Sequence, residues 1–341
     1  MSDFRIDQIT NQAGTAGPQI AGITTFSSTS GLLFPSGPTE YRGGRGRGLF
    51  GGGYITPGPG NQNVIDYVTI STTGNALDFG DLSVARRGSN GAVSSSTRGL
   101  WASGYTSSNV NIIDYVTISS TGNAFDFGDL TQSKRDVSSG VCNSIRGIWG
   151  GGQTDLPSAV KTIEYVTTAS LGNSSNFGDL SAIKRSVSGC ASPTRGIFAG
   201  GYVAGVITYN VIEFITIQST GDAIDFGDLT QSRDYIRGGC SSSVRGVFGG
   251  GFVSPANTNV IDYITIASTG NAQDFGDLTV SRNSVASSSN SIRGLFAGGV
   301  GNTIDYITIV TTGNAQDFGD LTVTRDNGLG GCSDAHGGLG D

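Results

Sequence analysis

Residues 98–135, RGLWASGYTSSNVNIIDYVTISSTGNAFDFGDLTQSKR, decide the fold, because their three landmarks return six times. An RG step ending in an aromatic begins at Arg47, Arg98, Arg146, Arg195, Arg245 and Arg293, and each is followed by an I(D/E)(Y/F) step and then an FGDL step. The period of about 50 residues fits propeller arrays and exceeds most solenoid repeats. Within the unit 87–135, the small-residue run 91–96 and the segment 98–105 each suit one strand. The run 112–118 is apolar on both alternating faces, as a strand held between neighbouring sheets must be. After the turn STGN, the segment AFDFGDLT can bury Phe127 and Leu130 while Asp126 and Asp129 stay polar. Four strands per repeat predict one antiparallel blade, and six repeats an all-β six-bladed β-propeller.

Composition agrees with short strands and tight turns. Of 341 residues, 56 are Gly and one is Met; 36% are hydrophobic and 14% charged, which is too apolar for disorder. Helix is expected to be nearly absent. The net charge of −7 argues against a nucleic-acid partner, which would need clustered Lys and Arg. The one dense basic run, Arg42, Arg45 and Arg47, reads as a solvated hinge. No apolar window of about 18 residues spans a membrane, and MSDFRIDQIT lacks a signal-peptide pattern. Cys142, Cys190, Cys240 and Cys332 show no CxxC spacing and read as free thiols.

Residues 1–46 stand outside the repeat and carry Pro18, Pro35 and Pro38 with short apolar pieces. They read as an extended attachment arm, with Ile6, Ile9, Ile20, Ile23 and Phe26 as its contact residues. Here IDQITNQAGTAGPQIAGITTF, then STSGLLFPSG and RGGRGRG, resembles the leader of structural proteins from tailed phages of marine bacteria, especially cyanophages. The repeat wording NVIDYVTI, TGNA and DFGDLT is similar to sequences of the same phages. The resemblance implies a virion protein, assembled in the host cytoplasm and present in many copies. Its arm would join other virion proteins and its propeller would meet a host-surface glycan. The order of features also resembles the kelch repeat, although Phe79, Phe127, Phe177, Phe226, Phe275 and Phe318 stand where kelch repeats usually carry Trp.

Closure separates a ring from an open β-solenoid. The first repeat starts at Arg47 without a small-residue strand, and the tail NGLGGCSDAHGGLGD aligns with that missing strand. Arg135 to Cys142 and Arg325 to Cys332 are both seven residues apart, and by the same count His336 falls in the slot of a repeat arginine. The expected blades are 47–86 plus 329–341, then 87–135, 136–185, 186–233, 234–282 and 283–328, following an arm of 1–46.

Comparison of the six copies separates scaffold from variation. The second-to-third-strand loops differ most, so one rim of the propeller is the candidate binding face, with Tyr54, Tyr105, Tyr202, Tyr209 and Phe252 as aromatic contacts. The acidic ring of Asp66, Asp114, Glu164, Glu213, Asp262 and Asp305, and that of Asp81, Asp129, Asp179, Asp228, Asp277 and Asp320, read as blade-to-blade pairs and turn bonds with the repeated arginines. Exposed pairs of that kind are weak. Neither calcium spacing nor a Ser/His/Asp set is found, His336 is the only histidine, and GGG and AGG steps open no helix. No enzyme, cofactor or metal is expected. A virion propeller mediating adhesion is the leading reading, and a lectin-like carbohydrate-binding propeller is the alternative.

Overall fold

The computed structural model describes residues 46–340 apart from 90, 156–158 and 204–206. The arm residues Ile6, Ile9, Ile20, Ile23 and Phe26, with Arg42 and Arg45, lie outside the described residues. The chain from Arg47 onward forms a six-bladed β-propeller of four-stranded antiparallel blades. In blade 2 the strands run in sequence order from the axis outward: Gly91–Ser94, Arg98–Ala102, Val110–Thr117 and Phe125–Lys134. Blade 1 takes its inner strand from the far end of the chain. Asn327–Ser333 pairs antiparallel with Arg47–Ile55, from Gly48 opposite Ser333 to Tyr54 opposite Asn327. The only helical turn among the described residues is Gly337–Leu339.

Blade-to-blade packing explains the glycine that follows the aromatic of the RG step in blades 1, 3 and 5. The second strand of every blade buries one aromatic completely: Phe50, Trp101, Trp149, Phe198, Phe248 and Phe296. A side chain at Gly51 would lie 2.9 Å from the Trp101 ring, and one at Gly150 would lie 3.1 Å from Phe198. At these positions the ring presses on the backbone of the blade before it, where glycine leaves room; in blades 2, 4 and 6 the same position carries Ala102, Ala199 and Ala297. Trp101 and Trp149 also donate their indole N–H to the carbonyls of Gly330 and Gly91.

Six buried ion pairs join the blades. A cation at or beyond the end of each outer strand reaches the third-strand acid of the next blade: Arg86 to Asp114 at 2.8 Å, Lys134 to Glu164 at 2.7 Å, Lys184 to Glu213, Arg233 to Asp262, Arg282 to Asp305 at 2.9 Å, and Arg325 to Asp66 at 3.1 Å. Two points correct the sequence reading. The partners are these cations and not the RG arginines, and the pairs are sealed from solvent, so the small value of an exposed pair does not apply.

Those pairs also fix the register of the closing strand. Leu49 faces Cys332, whereas in blade 3 it is Gly147 that faces Cys142. Lys134, not Arg135, is the equivalent of Arg325, because both hold the third-strand acid; the count of seven must start there, and it then matches Cys332 with Val141. His336 thus lies beyond the strand, and Arg47 fills the arginine slot of blade 1. Arg47 is accordingly no solvated hinge. Its guanidinium stacks 4.7 Å from the Tyr67 ring centre and donates to the carbonyl of Ile118 in the next blade.

Candidate functional site

Most polar rings of the repeat are consumed by the fold. Each third-strand carboxylate takes its buried cation and at least one further donor. Asp114, for example, accepts from the N–H and hydroxyl of Ser83, and Glu164 from the Thr131 N–H and the Ser174 hydroxyl. Burial alone would raise the Glu164 carboxyl; Lys134 and these donors hold it below its ordinary value. The RG arginines follow the pattern of Arg98, which lies 5.0 Å from the Tyr115 ring centre and donates to the carbonyl of Thr168. In the second acidic ring the backbone matters: the N–H of Asp81 donates to the side chain of Asn123, and those of Asp129, Asp228, Asp277 and Asp320 donate to the matching asparagines.

The inner strands of the blades line a narrow axis. A cavity of about 30 Å³, room for a water or two, is lined by Ser94, Cys142, Cys190, Cys240, Ser289 and Cys332 among others. Hydroxyls pass hydrogen bonds from blade to blade around it: Ser94 to the carbonyl of Ser333, Ser333 to that of Ser289, Ser289 to that of Ser241, and Ser241 to that of Ala191. The four cysteines are free and buried. Burial pushes the Cys142 and Cys240 thiols up to about 12, so neither offers a thiolate near neutrality.

At the mouth where the first and second strands turn, the tail after Ser333 crosses the axis. Side chains at Gly337 and Gly338 would strike the carbonyls of Ser242 and Cys142. His336 caps the short helical turn: its Nδ1 accepts from the Gly338 N–H, which leaves the proton on Nε2, 3.3 Å from the Ser94 carbonyl and from the Cys142 sulfur. Burial lowers this imidazole to about 4, against the opposing pull of the Ser94 carbonyl. At the opposite mouth Arg237 bridges to Asp136 at 2.9 Å, to the Ser186 hydroxyl and to the Asn327 side chain. Among the described residues no group of three or more His, Cys, Asp and Glu is placed to hold a metal ion.

The rim formed by the second-to-third-strand loops and the links between blades is what remains. Four link residues bridge to a loop residue of the blade they enter: Arg87 with Tyr105, Arg135 with Gln153, Arg185 with Tyr202, and Asp234 with Phe252. The aromatic candidates fare differently there. Tyr54 and Tyr105 are half-buried and clasp Arg87, whose guanidinium carbon lies 4.6 and 4.9 Å from their ring centres. Arg135 flanks Tyr105 as well, at 4.9 Å. Tyr209 is half-buried under the Lys184 ammonium, and Phe252 is half-buried in a two-residue hairpin. Tyr202 is 5% exposed, packed 4.8 Å from Tyr235 with Arg185 over its ring, and is therefore a structural residue and not a rim contact.

The sequence reading passed over the link residues themselves. The position after the buried cation reads Arg87, Arg135, Arg185, Asp234, Asn283 and Asp326 around the ring, so the rim is basic over one half and acidic or neutral over the other. That run was readable once the copies were aligned on the buried cations. No protein-family model and no curated protein matches this chain.

Proposed function

We propose that the protein is a non-enzymatic structural component of a phage virion, a propeller displayed on tail or capsid, anchored through residues 1–46 and meeting its target with the loop rim. The observation that carries this reading is the polarity of the propeller. The chain enters at Gly46, whose carbonyl accepts from the Ile70 N–H as that of Thr97 accepts from Ile118. Gly46 thus belongs to the face of first-to-second-strand turns, while the loops that differ between blades lie on the opposite face. Anchorage on one face and variation on the other is the arrangement a displayed module requires. The internal use of the repeated carboxylates and cations supports a scaffold over a catalyst. The kelch-like order of the repeat and the phage-like wording of the leader point the same way.

The test is co-sedimentation of the full chain, and of a chain lacking residues 1–46, with phage particles stripped of this component. We expect only the full chain to sediment. Equal sedimentation of both would make the propeller the docking surface and overturn the arm's role; failure of both would remove the virion reading.

A further inference from the structure

We propose that the Arg87 sector of the rim binds the carboxylate of an acidic sugar, so that the propeller's target is a uronic-acid-bearing glycan. This rests on the rim being the binding face, and not on the particle that carries it. Every other described lysine and arginine meets a carboxylate, a carbonyl or a side-chain oxygen, as in the ion pairs and arginine bonds above. The guanidinium of Arg87 has no hydrogen-bond or carboxylate partner among the described residues; while the backbone pairs with Tyr105, the side chain is held by the two tyrosine rings. A guanidinium fixed between aromatic faces keeps its N–H edge in one plane, and that edge matches a carboxylate with two parallel hydrogen bonds.

The surroundings favour one anionic group and not a polyanion. Arg135 reaches the side chains of Asn109 and Gln153, and Arg135, Arg185 and Arg237 all face the single carboxylate of Asp136, at 3.8, 3.5 and 2.9 Å. Their field is positive on balance, and each of the three already faces the Asp136 carboxylate, so Arg87 is the one cation of this arc whose side chain meets no oxygen among the described residues. A phosphodiester chain would need several such cations in line. One carboxylate, with hydroxyls nearby for the phenols of Tyr54 and Tyr105 and the amide of Gln153, describes an acidic sugar residue. Steering by this arc also explains how a chain of net charge −7 could approach an anionic surface polymer: the acidic half of the rim, with Asp234 and Asp326, would be turned away.

The experiment is calorimetric titration of the full chain with trigalacturonate, with its methyl ester, and with a six-nucleotide oligo-thymidylate. We expect the acid to bind at least tenfold more tightly than the ester, and Arg87→Gln to weaken the acid at least tenfold with little change in melting temperature, since the Arg87 side chain holds no hydrogen bond and its backbone bonds to Tyr105 survive the substitution. Tyr105→Leu, which removes one wall of the clasp, should also weaken it. Equal affinity for acid and ester, undiminished binding by Arg87→Gln, no binding at millimolar trigalacturonate, or tighter binding of the oligonucleotide would each overturn the proposal. Arg87→Gln should still sediment with phage particles. If it does not, the rim is the particle-docking surface, and the display reading fails in place of the glycan one.

Discussion

Glu164 and its five counterparts carry a pattern that only the paired positions explain. Where the acid is glutamate the cation is lysine, at Lys134 and Lys184; where it is aspartate the cation is arginine. The acid and the cation vary together, so that the pair fills the same gap between blades. Removing one member leaves a buried charge without its partner, so Glu164→Gln should cost about 3 kcal/mol in a denaturant titration. Lys134→Arg and Glu164→Asp should each destabilise, and the double variant should recover part of the loss; strict additivity would remove the compensation argument. The acids were legible as a ring in the sequence, but their partners were not. The cation sits 28 residues before Asp114 and 30 before Glu164, while the more conspicuous RG arginine lies closer in the chain. His336 makes a second prediction. Its imidazole is neutral in the folded chain, with a value near 4 against an ordinary 6.5. Its stabilising contribution is therefore complete above pH 6.5, falls as the pH drops from 6.5 towards 4, and loses nothing further below. Between pH 7 and 4.5 the native chain should lose roughly 2 kcal/mol that a His336→Gln variant does not lose. Equal slopes for the two proteins in urea titrations at both pH values would place the titrating group elsewhere.

At the scale of elements, the strand pattern was readable because period-2 burial and turn chemistry repeat six times, and any misreading of one copy is corrected by the others. The closing strand had no such redundancy, and its register was read one residue out because two adjacent cations, Lys134 and Arg135, compete for the same alignment slot. Turn contacts between blades show what the repeated glycines do. Gly128 has φ +147°, and a side chain there would lie 2.5 Å from the carbonyl of Gly172 in the next blade; Gly122 has φ +154° and open space around it. Both positions strain an L-residue, but only the first also collides, so Gly128→Ala should cost at least about 1 kcal/mol more than Gly122→Ala, measured by chemical denaturation. Deleting residues 329–341 removes most of the strand that pairs with Arg47–Ile55, together with the tail over the axis. The melting temperature should fall by about 10 °C or more, and the exposed edge should promote self-association visible in sedimentation velocity. An unchanged melting temperature would mean that blade 1 is stable with three strands.

At the scale of the whole molecule, the ring and the variable face followed from the repeat alone, whereas the chemistry of that face did not. Tyr202 and Tyr105 look equivalent in sequence. One is covered because Tyr235 happens to follow in the next link, and the other clasps Arg87; contacts between residues tens of positions apart decide which of them a ligand can reach. The shared blade has one more consequence. The backbone N–H of Arg47 donates to Asp334, 287 residues later, and the edge of the first strand stays unpaired until that stretch arrives. At ribosomal speed the interval is roughly 15 to 60 s, long compared with the folding of a blade. A nascent chain therefore passes through a stage in which blades 2 to 6 can form while the ring stays unlatched, and a message cut short before residue 327 yields a product with a permanently open seam. Seam closure is in effect a proof-reading step: only chains translated through the latch become rings.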